Sequence, residues 1–265
     1  MEQAVPKSRA RPVLPVLTRI PWGHNIVLVQ RLKDSAERLW YAHKTLEQGW
    51  SRAILTHQID SDLYHRQGQA ITNFEQTLPP PESDLAKRML KDPYAFEFLN
   101  VALQITERQL ESKLIDRLKH LLLELGRGFA FVGSQYRIEV GSEDFFIDLL
   151  FFHLELRRFV LIDLKTGKFK PEYVGKMSFY LTAVDRQLRH AQDEASIGLI
   201  LCRERNRLVA EYALQDMTRP LGVATYRTLP EEIRRGLPSP DQLTAELSPR
   251  MPLENPRPGN RGGRT

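Results

Sequence analysis

Residues 145–152 read FFIDLLFF and residues 159–165 read FVLIDLK, so two apolar stretches each carry an acidic residue near the middle. Runs of this kind predict buried strands, in which side chains alternate between the two faces of a sheet. Asp163 and Lys165 therefore point the same way, and Asp148 lies beside Asp163 if the two strands pair. Buried carboxylates are costly unless they are paired or bind a cation. The pattern predicts a carboxylate site on one sheet face.

Hard oxygen ligands of this type suit Mg²⁺ or Mn²⁺. The alternative is an edge strand with an exposed ion pair, because the triplet Asp163-x-Lys165 alone arises by chance in many chains. The presence of Asp148 in a second apolar run, about one hairpin away, favours the metal site.

A third acidic residue comes from a predicted helix over residues 107–125, ERQLESKLIDRLKHLLLEL. Leucines at 110, 114, 118, 121, 122 and 125 give it an amphipathic pattern. Glu111 projects into the middle of this apolar stripe, Glu107 lies one turn earlier, and Asp116 and Glu124 fall on the polar side. A carboxylate in a core-facing stripe indicates a functional demand, unless the helix frays there and Glu111 reaches solvent.

The remaining pattern predicts an alternation of strands and helices. The predicted strands are 128–133, 145–152, 159–165, 197–202 and 222–226, and the later helices are 172–190 and 207–214. The order α-β-β-β-α-β-α-β predicts a three-layer α/β core with a mixed sheet. Before it, residues 19–75 predict two or three helices, residues 78–83 a proline-rich linker, and residues 84–104 remain ambiguous.

Glu111 lies on the first helix, Asp148 on the second strand, and Asp163 and Lys165 on the third. This order resembles the motif of the PD-(D/E)xK nuclease superfamily. Longer strings, residues 128–181 and 196–214, resemble the YhcG-type family of predicted nucleases. The resemblance covers roughly residues 105–230. It implies a restriction-endonuclease-like fold preceded by a small helical region.

The resemblance also implies a metal-dependent nuclease acting on DNA, with RNA left open. Asp148 and Asp163 would be direct ligands of Mg²⁺ or Mn²⁺, and Glu111 would support that ion or bind a second one. Lys165 would hold the attacking water or stabilise the transition state. Cutting both strands would favour a homodimer.

Further residues are weaker candidates. Gln135 and Tyr180 are accessory candidates, with a purely structural role as the alternative. Lys168, Lys170 and Lys176 cluster just after the predicted site and could contact the phosphate backbone of a nucleic acid. Their alternative is a solvated loop and helix start.

Two departures from the family pattern favour a competing function. Residues 21–25 and 49–51 resemble the end of the family's amino-terminal domain, which implies that this domain is shortened and that residues 1–18 vary. Asp163 stands where the family usually has Glu, and its shorter reach could weaken activity. The competing hypothesis is a degenerate nuclease fold that binds nucleic acid or a protein partner.

Composition narrows the remaining possibilities. The net charge of +5 is a weak sign of nucleic-acid binding. Cys202 is the only cysteine, so no disulfide framework is possible, and no histidines and cysteines show zinc-site spacing. We find no signal peptide and no membrane-spanning segment, which predicts a cytoplasmic protein.

Four regions are expected along the chain. Residues 1–18 form a variable start, residues 19–100 a helical region with a linker, and residues 101–246 the nuclease-like domain. Residues 247–265 are rich in Pro, Gly and Arg and predict a disordered basic tail.

Overall fold

The amino-terminal part of the chain is helical, and capping residues divide it. The computed structural model describes residues 14–97, 99 and 105–228. Its first helices are α1 (Leu14–Leu17), α2 (Trp22–Arg31), α3 (Ser35–Gln48), α4 (Arg52–Asp60) and α5 (Leu63–Arg66). The side chains of Asp34 and Ser51 accept hydrogen bonds from backbone N–H groups and so begin α3 and α4. These caps explain why residues 19–75 hold more helices than the two or three predicted.

These helices enclose a small core of their own. Its buried members include Leu28, Tyr41, Leu55 and Leu63. The hydroxyl of Tyr41 donates to the carbonyl of Gln58 and accepts from the backbone N–H of Tyr64, which ties α3 to the elements after it.

The rest of the described chain contains seven strands interspersed with six helices. They are β1 (Ile71–Thr72), α6 (Phe74–Thr77), α7 (Glu82–Met89), β2 (Tyr94–Ala95), α8 (Glu107–Asp116), α9 (Leu118–Leu125), β3 (Phe129–Val140), β4 (Glu143–His153), β5 (Arg158–Lys168), α10 (Glu172–Gln187), β6 (Ile197–Glu204), α11 (Arg207–Gln215) and β7 (Leu221–Arg227). All five predicted strands are present, and β3 runs several residues beyond its predicted end.

The strands form one mixed sheet in the order β1-β7-β6-β5-β4-β3, with β2 also pairing with β7. The β3–β4 and β4–β5 pairs are antiparallel, whereas the β5–β6 and β6–β7 pairs are parallel. The parallel half follows from the two helical crossovers, through α10 and α11.

A separate hydrophobic core covers each face of the sheet. One core packs α8 and α9 against residues such as Leu149 and Ile162. The other packs α10 and α11 against residues such as Leu161 and Ile200. The three-layer α/β core with a mixed sheet, predicted from the sequence, is therefore confirmed.

The predicted helix over residues 107–125 is two helices that meet at Arg117, whose φ of −114° and ψ of 30° leave the helical range. The break changes which side chains of the second part face inward. Asp116 is exposed as predicted, but the prediction that Glu124 lies on the polar side is wrong. Glu124 is 1% exposed because Arg66 and Lys91 approach its carboxylate.

The proline-rich segment 78–83, predicted to be a linker, joins α6 to α7, and its last two residues belong to α7. Leu78 at its start is buried against the sheet. Cys202 is buried in β6, as expected for an inert core residue. No helix in the described part of the chain is long and apolar enough to cross a membrane. The predicted tail, residues 247–265, lies outside the described residues.

Candidate active site

The site forms where β4 and β5 separate. The two strands pair from His153–Arg158 as far as Leu149–Ile162. At the next position, Oδ2 of Asp148 accepts a hydrogen bond of 2.8 Å from the backbone N–H of Leu164. In a longer β4–β5 ladder, this backbone N–H group would have bonded to the opposite strand. Here it bonds to the Asp148 side chain instead, so the carboxylate lies between the diverging strands.

Asp148 and Asp163 are electrostatically coupled, as the predicted register requires. Burial, followed by the negative charge of Asp163, raises the pKa of Asp148 to about 6. The Leu164 N–H group and the ammonium groups of Lys165 and Lys176 oppose this rise. Two carboxylates that disfavour each other's charge are suited to share a cation.

The alternation of side chains along β4 reverses at Asp148. Leu149 packs into the core beside α8, and Ile147, only two residues earlier, packs into the core beside α10. Residues two apart in a regular strand share a face, so the strand is irregular between them. Opposite this point in β3, the pairing register passes over Gln135, whose φ is +44°.

Gln135 connects two of the predicted acidic residues. Its side-chain Nε2 donates to Oε2 of Glu111 at 2.5 Å and to Oδ1 of Asp148 at 3.4 Å. Glu111 is 5% exposed, and burial is the main cause of its raised pKa, which the hydrogen bond from Gln135 partly offsets. The prediction that Glu111 faces inward is therefore confirmed by its burial on α8.

Asp163 lies between two lysines. Its Oδ2 is 2.7 Å from Nζ of Lys165, and its Oδ1 is 3.3 Å from Nζ of Lys176. Although Lys165 is close, its angle does not make a hydrogen bond, so Oδ2 is a buried oxygen without one. Oδ2 is therefore held by the charge of Lys165 without a hydrogen bond, and a cation bound there would share or displace that ammonium group.

The two lysines differ in their surroundings. The Lys165 side chain is 6% exposed; its Nζ donates to the carbonyl of Leu164 at 3.0 Å and lies 3.5 Å from Oε2 of Glu107. It also lies 5.2 Å from the centre of the Tyr173 ring. Lys165 is therefore held from several sides, as a group with a fixed role would be.

The side chain of Lys176 is 45% exposed, and its Nζ lies 5.2 Å from the centre of the ring of buried Tyr180. Burial lowers its pKa, but the negative charge of Asp163, with Tyr180 and Asp148, outweighs this and raises the pKa overall. Because the Lys176 side chain is already half-exposed, its ammonium group can move from Asp163 to another anion without a large change in burial.

The structure brings most of the predicted residues together. Contacts connect Glu111, Gln135, Asp148, Asp163, Lys165, Lys176 and Tyr180. Lys168 and Lys170 are exposed, and Lys170 lies 3.6 Å from Glu172. Sequence reasoning did not select Glu107 or Tyr173. Glu107 could have been selected, because it lies on the same helix face as Glu111. Nothing in the sequence pattern singled out Tyr173.

The residues present fit a hard divalent ion. Among the described residues, no group of three or more His, Cys, Asp or Glu side chains is placed to hold a metal by itself. Asp148 and Asp163 would hold it as a pair, with Oδ2 of Asp163, which pairs with Lys165 but has no hydrogen bond, as one donor. This suits Mg²⁺, which is often bound by one or two carboxylates while water and substrate phosphate complete its shell.

Comparison with known families identifies the domain that contains these residues. The sequence model of the YhcG PDDEXK nuclease domain matches residues 87–242, more than half of the chain. The chain belongs to the YhcG PDDEXK nuclease family. The model of the DUF1016 N-terminal domain matches residues 6–66, which includes most of the segment that we predicted to be variable. Nuclease domains of the PD-(D/E)xK type generally use divalent metal ions.

One curated relative is the Escherichia coli (strain K12) protein named "Putative nuclease YhcG", 34% identical over 207 residues. The match covers 77% of this chain and 55% of the relative, so the chain spans about half the length of the relative. Its name describes that protein, and the family assignment above rests on the domain match.

Two solved structures show a loose similarity. A repair endonuclease from Pyrococcus abyssi is 17% identical, with a TM-score of 0.34 over 48% of this chain and 47% of that one. An EndoMS–dsDNA complex is 14% identical, with a TM-score of 0.30 over 49% and 48%. A similarity of this size carries no argument about substrate or mechanism.

Proposed function

We propose that the chain is a metal-dependent endonuclease that hydrolyses phosphodiester bonds in DNA. The observation that carries the proposal is the pairing of Asp148 with Asp163 beside buried Lys165, in a YhcG PDDEXK nuclease domain. The whole chain's substrate, its partners and the choice between Mg²⁺ and Mn²⁺ are part of this proposal.

The roles follow from the contacts. A bound Mg²⁺ or Mn²⁺ would neutralise the phosphate and lower the pKa of the attacking water. Asp148 and Asp163 would hold the ion, and Glu111 would support it from α8 through Gln135. Lys165, fixed by Glu107 and the Leu164 carbonyl, stabilises the charge that develops on the phosphate.

The DNA backbone would approach from the exposed start of α10. Lys176 is half-exposed beside Asp163, and Lys168 and Lys170 are exposed on the chain leading to α10. These lysines would contact phosphates, with Tyr180 supporting Lys176 through its ring. A homodimer would allow both strands to be cut.

One observation favours the competing function, a nuclease fold that binds nucleic acid or a protein partner without cleaving. Both oxygens of Asp163 face ammonium groups, and these supply the positive charge that a metal would otherwise bring. A protein in which lysines permanently replaced the metal would bind anions but would not activate water.

The deciding experiment is a cleavage assay of the purified protein with Mg²⁺ or Mn²⁺ on linear, nicked, branched and single-stranded DNA and on RNA. We expect metal-dependent cleavage of DNA that is lost on Asp148→Asn and retained on Lys33→Ala, an exposed site outside the cluster. Binding of DNA without cleavage under every condition would support the competing function. Cleavage of RNA alone would change the substrate and keep the chemistry.

A further inference from the structure

Gln135 holds a backbone conformation that its residue type disfavours. Among the described residues, the non-glycine positions with positive φ are Asp62, Gln135 and Arg157, at 56°, 44° and 50°. The left-handed region is unfavourable for residues with a Cβ atom, and Asn and Asp tolerate it better than Gln. The backbone of Gln135 is therefore strained, and any advantage of a glutamine at this position lies in its side chain.

What that side chain does is visible in its contacts. The Nε2 group is 2.5 Å from Oε2 of Glu111 and 3.4 Å from Oδ1 of Asp148. Glu111 belongs to helix α8 and Asp148 to strand β4, and no direct contact joins their carboxylates. The Gln135 amide is thus the link between an acidic residue on a helix and one on the sheet.

The positive φ of Gln135 and its contacts with Glu111 and Asp148 occur where the pairing of β3 with β4 is interrupted. Pairing of β3 with β4 joins Ser134 to Leu149 and Tyr136 to Ile147, and the position between them is left unpaired. The reversal of alternation at Asp148 coincides with this interruption. A regular strand at this point would rotate the residue 135 side chain and Asp148 away from their present arrangement.

We propose that Gln135 is a positioning residue that fixes Glu111 and Asp148 relative to each other and thereby sets the affinity of the site for a divalent ion. The inference rests on the proposed metal-dependent function. Partners that orient metal ligands commonly change metal affinity by about 10–100-fold when they are removed.

The test is calorimetric titration of Mn²⁺ into the full chain without DNA, so that the readout does not depend on turnover. Gln135→Gly removes the amide and accepts the positive φ without strain. We expect an unfolding midpoint no lower than that of the wild type and a Mn²⁺ affinity at least about tenfold weaker. Gln135→Asn keeps an amide on a shorter arm that tolerates this φ, and we expect it to bind Mn²⁺ more weakly than the wild type as well.

Arg157→Gly is the matched control, because it relieves a similar φ at the start of β5, where Arg157 contacts Asp193 and Gln192. Its Mn²⁺ affinity should equal that of the wild type. In a double-mutant cycle, Glu111→Gln and Gln135→Gly should not be additive, because the amide acts through that carboxylate.

The outcomes separate the two proposals. Wild-type affinity in Gln135→Gly, with binding lost in Asp148→Asn, overturns the positioning role and leaves the metal site intact. Additive effects of Glu111→Gln and Gln135→Gly overturn it too. No Mn²⁺ binding by the wild type overturns the proposed metal dependence and this inference with it.

Discussion

Arg66 on α5 and Glu124 on α9 form a buried ion pair, with 2.6 Å between Nη1 and Oε1 and side chains 3% and 1% exposed. Oε1 of Glu124 also accepts the backbone N–H of Ala95 at 2.8 Å, and Nζ of Lys91 lies 3.7 Å from Oε2. The pair joins the amino-terminal helices to the element that follows α8. The helical region is therefore tied to the nuclease core by a buried ion pair.

Replacing Arg66 by Leu should lower the free energy of unfolding by about 3 kcal/mol, because Glu124 loses its main partner in a buried site. Chemical denaturation measures the change. Arg31→Leu, which breaks an exposed pair with Asp60, should cost less than about 1 kcal/mol. Similar losses in the two variants would show that the buried pair is not a structural anchor.

The stability of the metal-free protein should depend on Asp148 and pH. The pKa of Asp148 is raised to about 6 in the folded state from 3.8, so ionisation destabilises the fold as pH rises through this window. Asp148→Asn, which keeps an oxygen for the Leu164 N–H, should stabilise the metal-free protein at pH 7.5 by on the order of 2 kcal/mol.

The same substitution should have little effect near pH 4, where the wild-type carboxyl is largely protonated in the folded state. Thermal unfolding with a chelator present, at both pH values, provides the measurement. A stability difference that is as large at pH 4 as at pH 7.5 would mean that charge is not its cause.

Lys165 and Lys176 should separate chemistry from binding. Lys165→Ala should abolish cleavage while most DNA affinity and the fold remain, because the buried ammonium acts on the transition state. Lys176→Ala should weaken DNA binding and leave measurable cleavage at saturating DNA. Single-turnover rates and binding isotherms distinguish the two, and equal loss of affinity in both variants would remove the distinction.

The lysines at positions 168, 170 and 176 should contribute to the salt dependence of DNA binding. Replacing all three with Ala should weaken binding across sequences and reduce the slope of log K against log salt by roughly three contacts, at about 0.9 per contact. Binding titrations over a range of salt concentrations measure this slope. If the slope is unchanged in the triple variant, the DNA does not contact these three lysines.

Asp163→Glu tests the departure from the family pattern. The longer side chain restores the reach that the resembling family usually has, so we expect cleavage to be preserved or raised. The measurement is the rate at saturating Mg²⁺ or Mn²⁺. If the wild type and Asp163→Glu are both inactive on every DNA form, the chain is better treated as a binding protein on a nuclease scaffold.

Much of this site was predictable because strand alternation is a local rule. Asp163 and Lys165 are two residues apart, so a shared face follows from spacing alone, and their ion pair confirms it. The contact of Asp163 with Lys176 was not predictable, since it depends on how α10 packs against β5.

Two features of the site and its surroundings could not be predicted from local sequence patterns. Gln135 connects Glu111 and Asp148 through a backbone with positive φ. The residue at this position is not Gly, Asn or Asp, the types that would have indicated such a φ in the sequence. The burial of Glu124 depends on a break at Arg117 that neither Pro nor Gly marks, and on an arginine from a distant part of the chain. Both are set by tertiary contacts that overrule the periodic pattern.

The break at Arg117 has a consequence for how this protein could change over evolution. Glu111, which we propose supports the metal site, and Glu124, which pairs with Arg66, stand on two separate helices and not on one. A substitution that rotates α9 to suit a different helical region need not turn α8 by the same angle. Lineages could therefore exchange or trim the amino-terminal module while the geometry of the proposed catalytic carboxylates is inherited unchanged.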